Sequence, residues 1–471
     1  MTGKKCTAVI LALLAALSTS ACGSKEEDSS EAFSGTENVS VAPTDKISAI
    51  PDGQAQEILY MGVDDLNPTR ANPEKTTQLA LFEAKGGSIQ YTPVTYVDRF
   101  DKIAAAVMAQ TGAPDIVNYE WLSFPSQVVV DMYKPIDSLV DFNDSLWSGV
   151  KKTADQFVLG GKHYVAPLSF EASAIMCYDK DRIDENSLAD PYTLYQKGEW
   201  NWDNWEKIMR TYVENASGDE ARYGINGFYK QHVIQQTGKT LVTYDAATNQ
   251  FSANLDDPDI EKGQDLLYDM MKDGLVLNGW IGDARSAFNS GCLFYAMGDW
   301  GFSGKTNGPK DDDNWLVVPM PQYTGNPQNI TTSDMKAFMW MKTSEKDAAV
   351  KCWLECCRVA ATDPTYLETT KQKFMQNNPN WTDEMYDVKR AVSSDDYLMV
   401  FDYAYGLSAA MGDPKGFDGN TSLVDALYTF ASSLDEDGNQ PTWTQLREQY
   451  EQTVQYEVDT INKKVADYNA K

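Results

Sequence analysis

The chain is 471 residues long, 42% apolar and 11% aromatic, and carries a formal charge of −29 at pH 7. That charge excludes a general affinity for nucleic acid or anionic lipid, because both require clustered Lys and Arg to displace counterions. The length exceeds what a single core organises and suits two lobes.

Lys4 and Lys5 precede an uncharged apolar run from Ala8 to Leu17, followed by Ser18-Thr19-Ser20-Ala21-Cys22, an order that reads as an export signal. The run is well short of the roughly 20 residues a membrane-spanning helix needs, so residues 1–21 are expected to be removed rather than retained. Small residues before a cysteine, with Gly23 and Ser24 after it, resemble a bacterial lipobox. Cys22 would then be acylated and become the new N-terminus, although Thr19 stands where that motif usually has leucine. Residues 22–55, rich in Ser, Glu, Asp, Gly and Pro, are expected to form the anchor and a disordered tether, since they carry too few large apolar side chains to offset ordering entropy.

The folded body is expected to start with a strand, Glu57 to Val63, whose C-terminal end carries Asp64 and Asp65. Helical spacing follows from Glu74 to Ala84, then a strand near Ser88 to Val94 and an Ala-rich helix, Phe100 to Ala109. Thr111-Gly112-Ala113-Pro114 ends that helix before the short strand Asp115-Ile116-Val117. Such alternation predicts an α/β fold with mostly parallel sheets, whose ligand sits outside the C-terminal strand ends. Asp203 with Glu206 predicts a capped helix start, and Asp257-Pro258 another, ended by Gly274. These belong to a second α/β lobe. A last helix, Thr442 to Asp467, shows one apolar face through Trp443, Leu446, Tyr450, Val454, Ile461 and Val465.

Of seven cysteines, Cys6 falls in the signal and Cys22 at the anchor. Cys177, Cys292, Cys352, Cys356 and Cys357 are expected to be mostly buried free thiols, because the 352/356 and 356/357 spacings are poor disulfide geometry. With only His163 and His232 in the chain, no metal cluster and no cofactor is expected.

Four segments, in order, resemble the carbohydrate-binding proteins of bacterial ABC importers. They are Gly112 to Trp121 with its Pro-Asp-Ile core, Gly161 to Asp181, Ala287 to Trp300, and Val317-Val318-Pro319-Met320-Pro321. The resemblance implies a two-lobed fold with a ligand cleft between lobes and crossover strands at residues near 168 and 317. Lobe 1 would comprise 56–168 plus 317–370, and lobe 2 would comprise 169–316 plus 371–471. It also implies a monomer, lipid-anchored on the outer face of the cytoplasmic membrane of a Gram-positive-type cell, that delivers a small carbohydrate to the permease subunits of the importer. The match fades after about Asp363.

A sugar ring offers an apolar C–H face and a rim of hydroxyls, so its site needs flat aromatics beside carboxylates. Trp300 and Tyr119 are the candidate faces, with Trp121 at the same strand end as Tyr119. Asp64, Asp65, Glu120, Glu171 and Asp299 are the candidate acceptors. Phe170, Tyr229, Trp202 and Trp205 all read first as packing, with Phe170 and Tyr229 also carried as further ligand contacts. The number of aromatics favours an oligosaccharide. A secreted glycosidase and a surface adhesin lipoprotein remain alternatives, the first because it too pairs carboxylates with aromatics. No carboxylate pair, phosphate loop or nucleophile elbow is marked out by spacing, so no enzyme is expected.

Overall fold

The computed structural model describes residues 39–470 apart from Ala71, Asp219, Asp311, Asp312, Pro327, Thr332 and Glu436. The export signal and Cys22 lie outside the described residues. The tether does not run to residue 55: Ile47 and Ile50 are buried against the first lobe, and Ser48 donates its backbone N–H to the Glu355 carboxylate at 2.6 Å. Lys85 donates to the Ile47 carbonyl at 2.9 Å. Two isoleucines at one-turn spacing and a buried carboxylate hold a segment whose average composition reads as disordered.

The first sheet begins with β1 (Glu57–Gly62), α1 (Thr77–Ala84), β2 (Ser88–Pro93), α2 (Arg99–Ala109) and β3 (Ile116–Asn118). Thr76 caps α1, which buries Leu79 to Phe82, and Gln110 ends α2 in the left-handed conformation at φ 53°. β1 runs parallel to both β2 and β3. Asp115, just before β3, is buried and accepts from Leu59 N at 2.7 Å and Ser344 Oγ at 2.7 Å, with Lys346 at 3.0 Å. It is a buried tie between strands.

The chain then enters β4 (Ala166–Ala172) and crosses at once into β5 (Ile175–Asp179). The second lobe adds α3 (Trp202–Glu214), β6 (Tyr223–Gly227), α4 (Pro258–Lys272), β7 (Cys292–Met297) and β8 (Trp315–Val318). Asn201, rather than a residue within the helix, accepts from Asn204 N and caps α3. Asp257 and Gly274 bound α4 as the sequence suggested. The sheet order is β8-β5-β7-β6, with β7 buried along its whole length.

β9 (Ser333–Trp340) returns to the first sheet, where it lies antiparallel between β3 and β4, giving the order β2-β1-β3-β9-β4. The crossing residues differ from those expected. Phe170 and Glu171 of β4 still pair with β9 in the first sheet, while Val317 and Val318 still pair with Cys177 and Met176 in the second.

α5 (Asp347–Thr362) covers the first sheet, and α6 (Pro364–Asn377) leads to α7 (Asp383–Val392). Trp381, Met385, Val388 and Val392 then pack with Phe302 and Trp315 in the second lobe. The chain thus forms two α/β lobes and passes between them at β4–β5, at β8–β9 and again through its C-terminal part. Met399 to Leu407 touches both: Phe401 N–H bonds Gln156 Oε1 at 3.1 Å on the first lobe, and Asp402 accepts from Leu241 N at 2.9 Å on the second. α8 (Trp443–Asn469) carries a full capping box at Thr442 and Gln445 and buries Trp443, Leu446, Val454, Ile461 and Val465 of the predicted apolar face, leaving Tyr450 half-buried. All five body cysteines are buried and free, and burial pushes the Cys177 and Cys357 thiols up. No helix among the described residues is long and apolar enough to cross a membrane.

Candidate functional site

The C-terminal ends of β1 and β3 open on a cleft of about 910 Å³. Its floor is the first sheet: Asp64 follows β1, Asn118 to Glu120 end β3, Leu168 to Glu171 come from β4, and Lys336 to Phe338 from β9. The start of α1 contributes Thr77 and Gln78, and the end of α5 contributes Arg358 and Ala361. The facing wall is α7 and its exit, with Tyr386, Lys389, Arg390 and Ser393 to Asp396. Parallel strands deliver their following loops to one edge, which is why β1 and β3 place Asp64 and Glu120 on the same rim.

Tyr119 is buried against Phe157, ring centroids 5.0 Å apart, and against Phe401 at 5.9 Å. It still contributes to the cleft lining. Glu120 sits 3.3 Å from Arg99 Nη2, and that guanidinium lies 3.9 Å from the Tyr96 ring centroid and 4.7 Å from that of Phe100. Beneath them Asn118 Nδ2 donates to Tyr60 Oη at 2.9 Å, and burial, helped by Asp64, raises the Tyr60 phenol above its ordinary range. Glu171 pairs with Lys336 across the β4–β9 ladder, both exposed in the cleft. Phe170 is buried but lines the same wall.

Arg358 is held by the carbonyls of Leu146 at 3.1 Å and Leu168 at 2.5 Å, with Asp395 at 4.0 Å. Burial lowers its pKa from the ordinary arginine value. On the α7 wall Lys389 lies 3.2 Å from Asp299, the residue before Trp300. Trp300 itself is 58% exposed.

The structure therefore brings Asp64, Tyr119, Glu120, Phe170 and Glu171 together in the cleft lining. Asp299 touches that lining through Lys389, and Trp300 stands beyond it on the second lobe. Trp121 lies outside the lining, 39% exposed, its ring centroid 4.7 Å from that of Tyr405. Asp65 also lies outside; it accepts from Asn67 N at 2.9 Å and Nδ2 at 3.0 Å and so shapes its own turn. Tyr229 is 1% exposed and packs edge-on to Trp205 at 6.2 Å, so of its two readings, packing and ligand contact, the structure gives packing. The α7 wall was missed. Its sequence shows Thr382 as a helix cap and Met385, Val388 and Val392 as an apolar face, signals of a packed helix that say nothing of what its other face meets.

The pattern of bacterial extracellular solute-binding proteins matches residues 80–371, more than half of the sequence. The chain belongs to that family. No curated protein matches the sequence. Among solved structures, the solute-binding fold is shared with the sugar-binding protein MalE from Xanthomonas citri, at 16% identity and a TM-score of 0.58, covering 87% of this chain and 98% of that one. An ABC substrate-binding protein from Listeria monocytogenes, solved in complex with cycloalternan, is similar at 16% identity and a TM-score of 0.53, over 87% of this chain and 99% of that one. UgpB from Mycobacterium tuberculosis, in complex with glycerophosphocholine, is similar at 15% identity and a TM-score of 0.54, over 81% and 94%.

Proposed function

We propose that this solute-binding protein captures a carbohydrate, an oligosaccharide rather than a single sugar, and hands it unaltered to an ABC importer. The observation that carries the reading is the pairing of a carboxylate-rich strand edge with a solvent-exposed indole. Glu120, Glu171 and Asp64 meet at the C-terminal rim of the first sheet, and Trp300 stands 58% exposed on the opposite lobe beside Asp299. Carboxylates answer hydroxyls and the indole answers an apolar ring face. The sugar-binding and cycloalternan-bound relatives support that ligand class. The glycerophosphocholine complex marks the outcome to test against.

On this reading Tyr119, Glu120, Glu171, Asp299 and Trp300 contact ligand, with Tyr386 and Lys389 from α7 added. The protein works as a monomer, acylated at Cys22 and held on the outer face of the cytoplasmic membrane. Its lobes divide at the two strand crossings, and ligand favours the closed arrangement because only then are its hydroxyls matched from both sides.

A thermal-shift screen of mono- and oligosaccharides, repeated with Trp300→Ala, tests it. A saturating ligand at about a hundred times its dissociation constant adds roughly 2.7 kcal/mol, a shift of a few degrees. The reading predicts a shift from one glycan class that the variant loses. Shifts from phosphodiesters or peptides alone would refute the carbohydrate assignment and leave the fold untouched.

A further inference from the structure

Two large indoles stand in solvent on the second lobe: Trp300, and Trp280, which is 64% exposed. The fold puts them on one edge. Residues 275–277 run alongside β6, with Val276 bridged in parallel to Ile225 and Leu277 N bonded to the Ile225 carbonyl at 3.1 Å. β7 lies on the other side of β6 and is parallel to it. The loops leaving these three neighbouring strands emerge together, at the end where β5 enters from the first lobe, since Met297 of β7 pairs with Ile175. Trp300 follows β7 and Trp280 follows residues 275–277, so the two emerge two strand spacings apart, roughly 10 Å.

The Trp280 loop is clamped. Buried Asn226 donates through Nδ2 to the carbonyls of Leu277 at 2.8 Å and Gly279 at 2.9 Å, and Tyr295 Oη donates to the Ile281 carbonyl at 3.0 Å. Gly279, at φ 91°, takes a backbone conformation closed to most side chains. These bonds fix the backbone on both sides of Trp280, whose indole is 64% exposed.

We propose that Trp280 is a second stacking platform for the glycan and that it sets the minimum length of ligand, a single ring being too short to cover both indoles. The inference rests on the carbohydrate reading proposed above. Calorimetric titration of the protein with α-glucosyl and β-galactosyl mono-, di-, tri- and tetrasaccharides tests it, with Trp280→Ala, Trp280→Phe and Trp300→Ala beside the wild type. The expected result is that Trp280→Ala loses about tenfold in affinity for the longer members, leaves the shortest bound member unaffected, and is largely rescued by Trp280→Phe. Its unliganded melting midpoint should match the wild type, because the side chain is exposed.

An equal loss at every length, or none while Trp300→Ala fails, would overturn the Trp280 assignment and leave the carbohydrate reading in place. A variant that binds every glycan normally but no longer supports uptake would make Trp280 a contact for the importer instead. Should the wild type bind no member of the series, the carbohydrate reading and this inference fall together.

Discussion

Lys389 Nζ lies 3.2 Å from Asp299 Oδ2, joining the helical wall of the cleft to the residue that precedes Trp300. Both side chains are about three-quarters covered, at 22% and 27% exposure. The pair fixes where the Trp300 loop sits relative to α7, which otherwise meets the second lobe through Trp381, Met385 and Val388.

Replacing Lys389 with Met should weaken glycan binding severalfold while lowering stability by no more than about 1 kcal/mol, the range of a partly exposed ion pair. Titration and urea unfolding on the same variant separate the two effects. A large stability loss with unchanged affinity would mean the pair only braces the lobe.

Asp402 is buried and accepts from Leu241 N, Val242 N, Ala404 N and the Tyr428 hydroxyl. Burial raises its pKa, and those donors work against the rise. Asp402→Asn would turn an amide toward donors that need acceptors, and should cost about 2–4 kcal/mol in urea unfolding. A near-neutral variant would show that this segment does not tie the lobes together.

How much of this was legible beforehand depends on where the signal lay. The strands β1 and β3 and the rim residues Asp64, Tyr119 and Glu120 could be read, because the helix-stop at Gly112-Ala113-Pro114 and the strand after it are local features. The docking of Ile47 and Ile50 was not legible, since two isoleucines in a polar stretch reveal nothing of the groove that receives them. Nor was the α7 wall: two basic side chains, Lys389 and Arg390, carry no local signal of the cleft that the fold sets against them. Tyr229 stayed open between packing and contact, because an aromatic after a strand suits a rim or a core equally.

His232 is 1% exposed, and burial pushes its pKa down to about 3 from an ordinary 6.5. The folded state then binds fewer protons than the unfolded one across that interval. Its contribution to stability is whole above 6.5 and is lost as pH falls toward 3. His232→Leu should flatten the pH dependence of the unfolding midpoint between those values, and an unchanged slope would show that His232 is not what titrates.

Ile47→Ala should destabilise the protein by about 2 kcal/mol or more, as expected for a buried isoleucine. Hydrogen exchange should show the accompanying loosening at α1 and α5, where Lys85 and Glu355 hold the segment. If the midpoint does not move, residues 44–50 belong to the tether after all.

The central claim is that the lobes close on an intact glycan. Small-angle X-ray scattering of the protein with and without the glycan that gives the largest thermal shift, followed by recovery of that glycan, tests it most directly. Closure on an intact ligand requires a smaller radius of gyration with ligand bound and a glycan recovered at its original length. Binding with no compaction, or recovery of a shortened glycan, would contradict it.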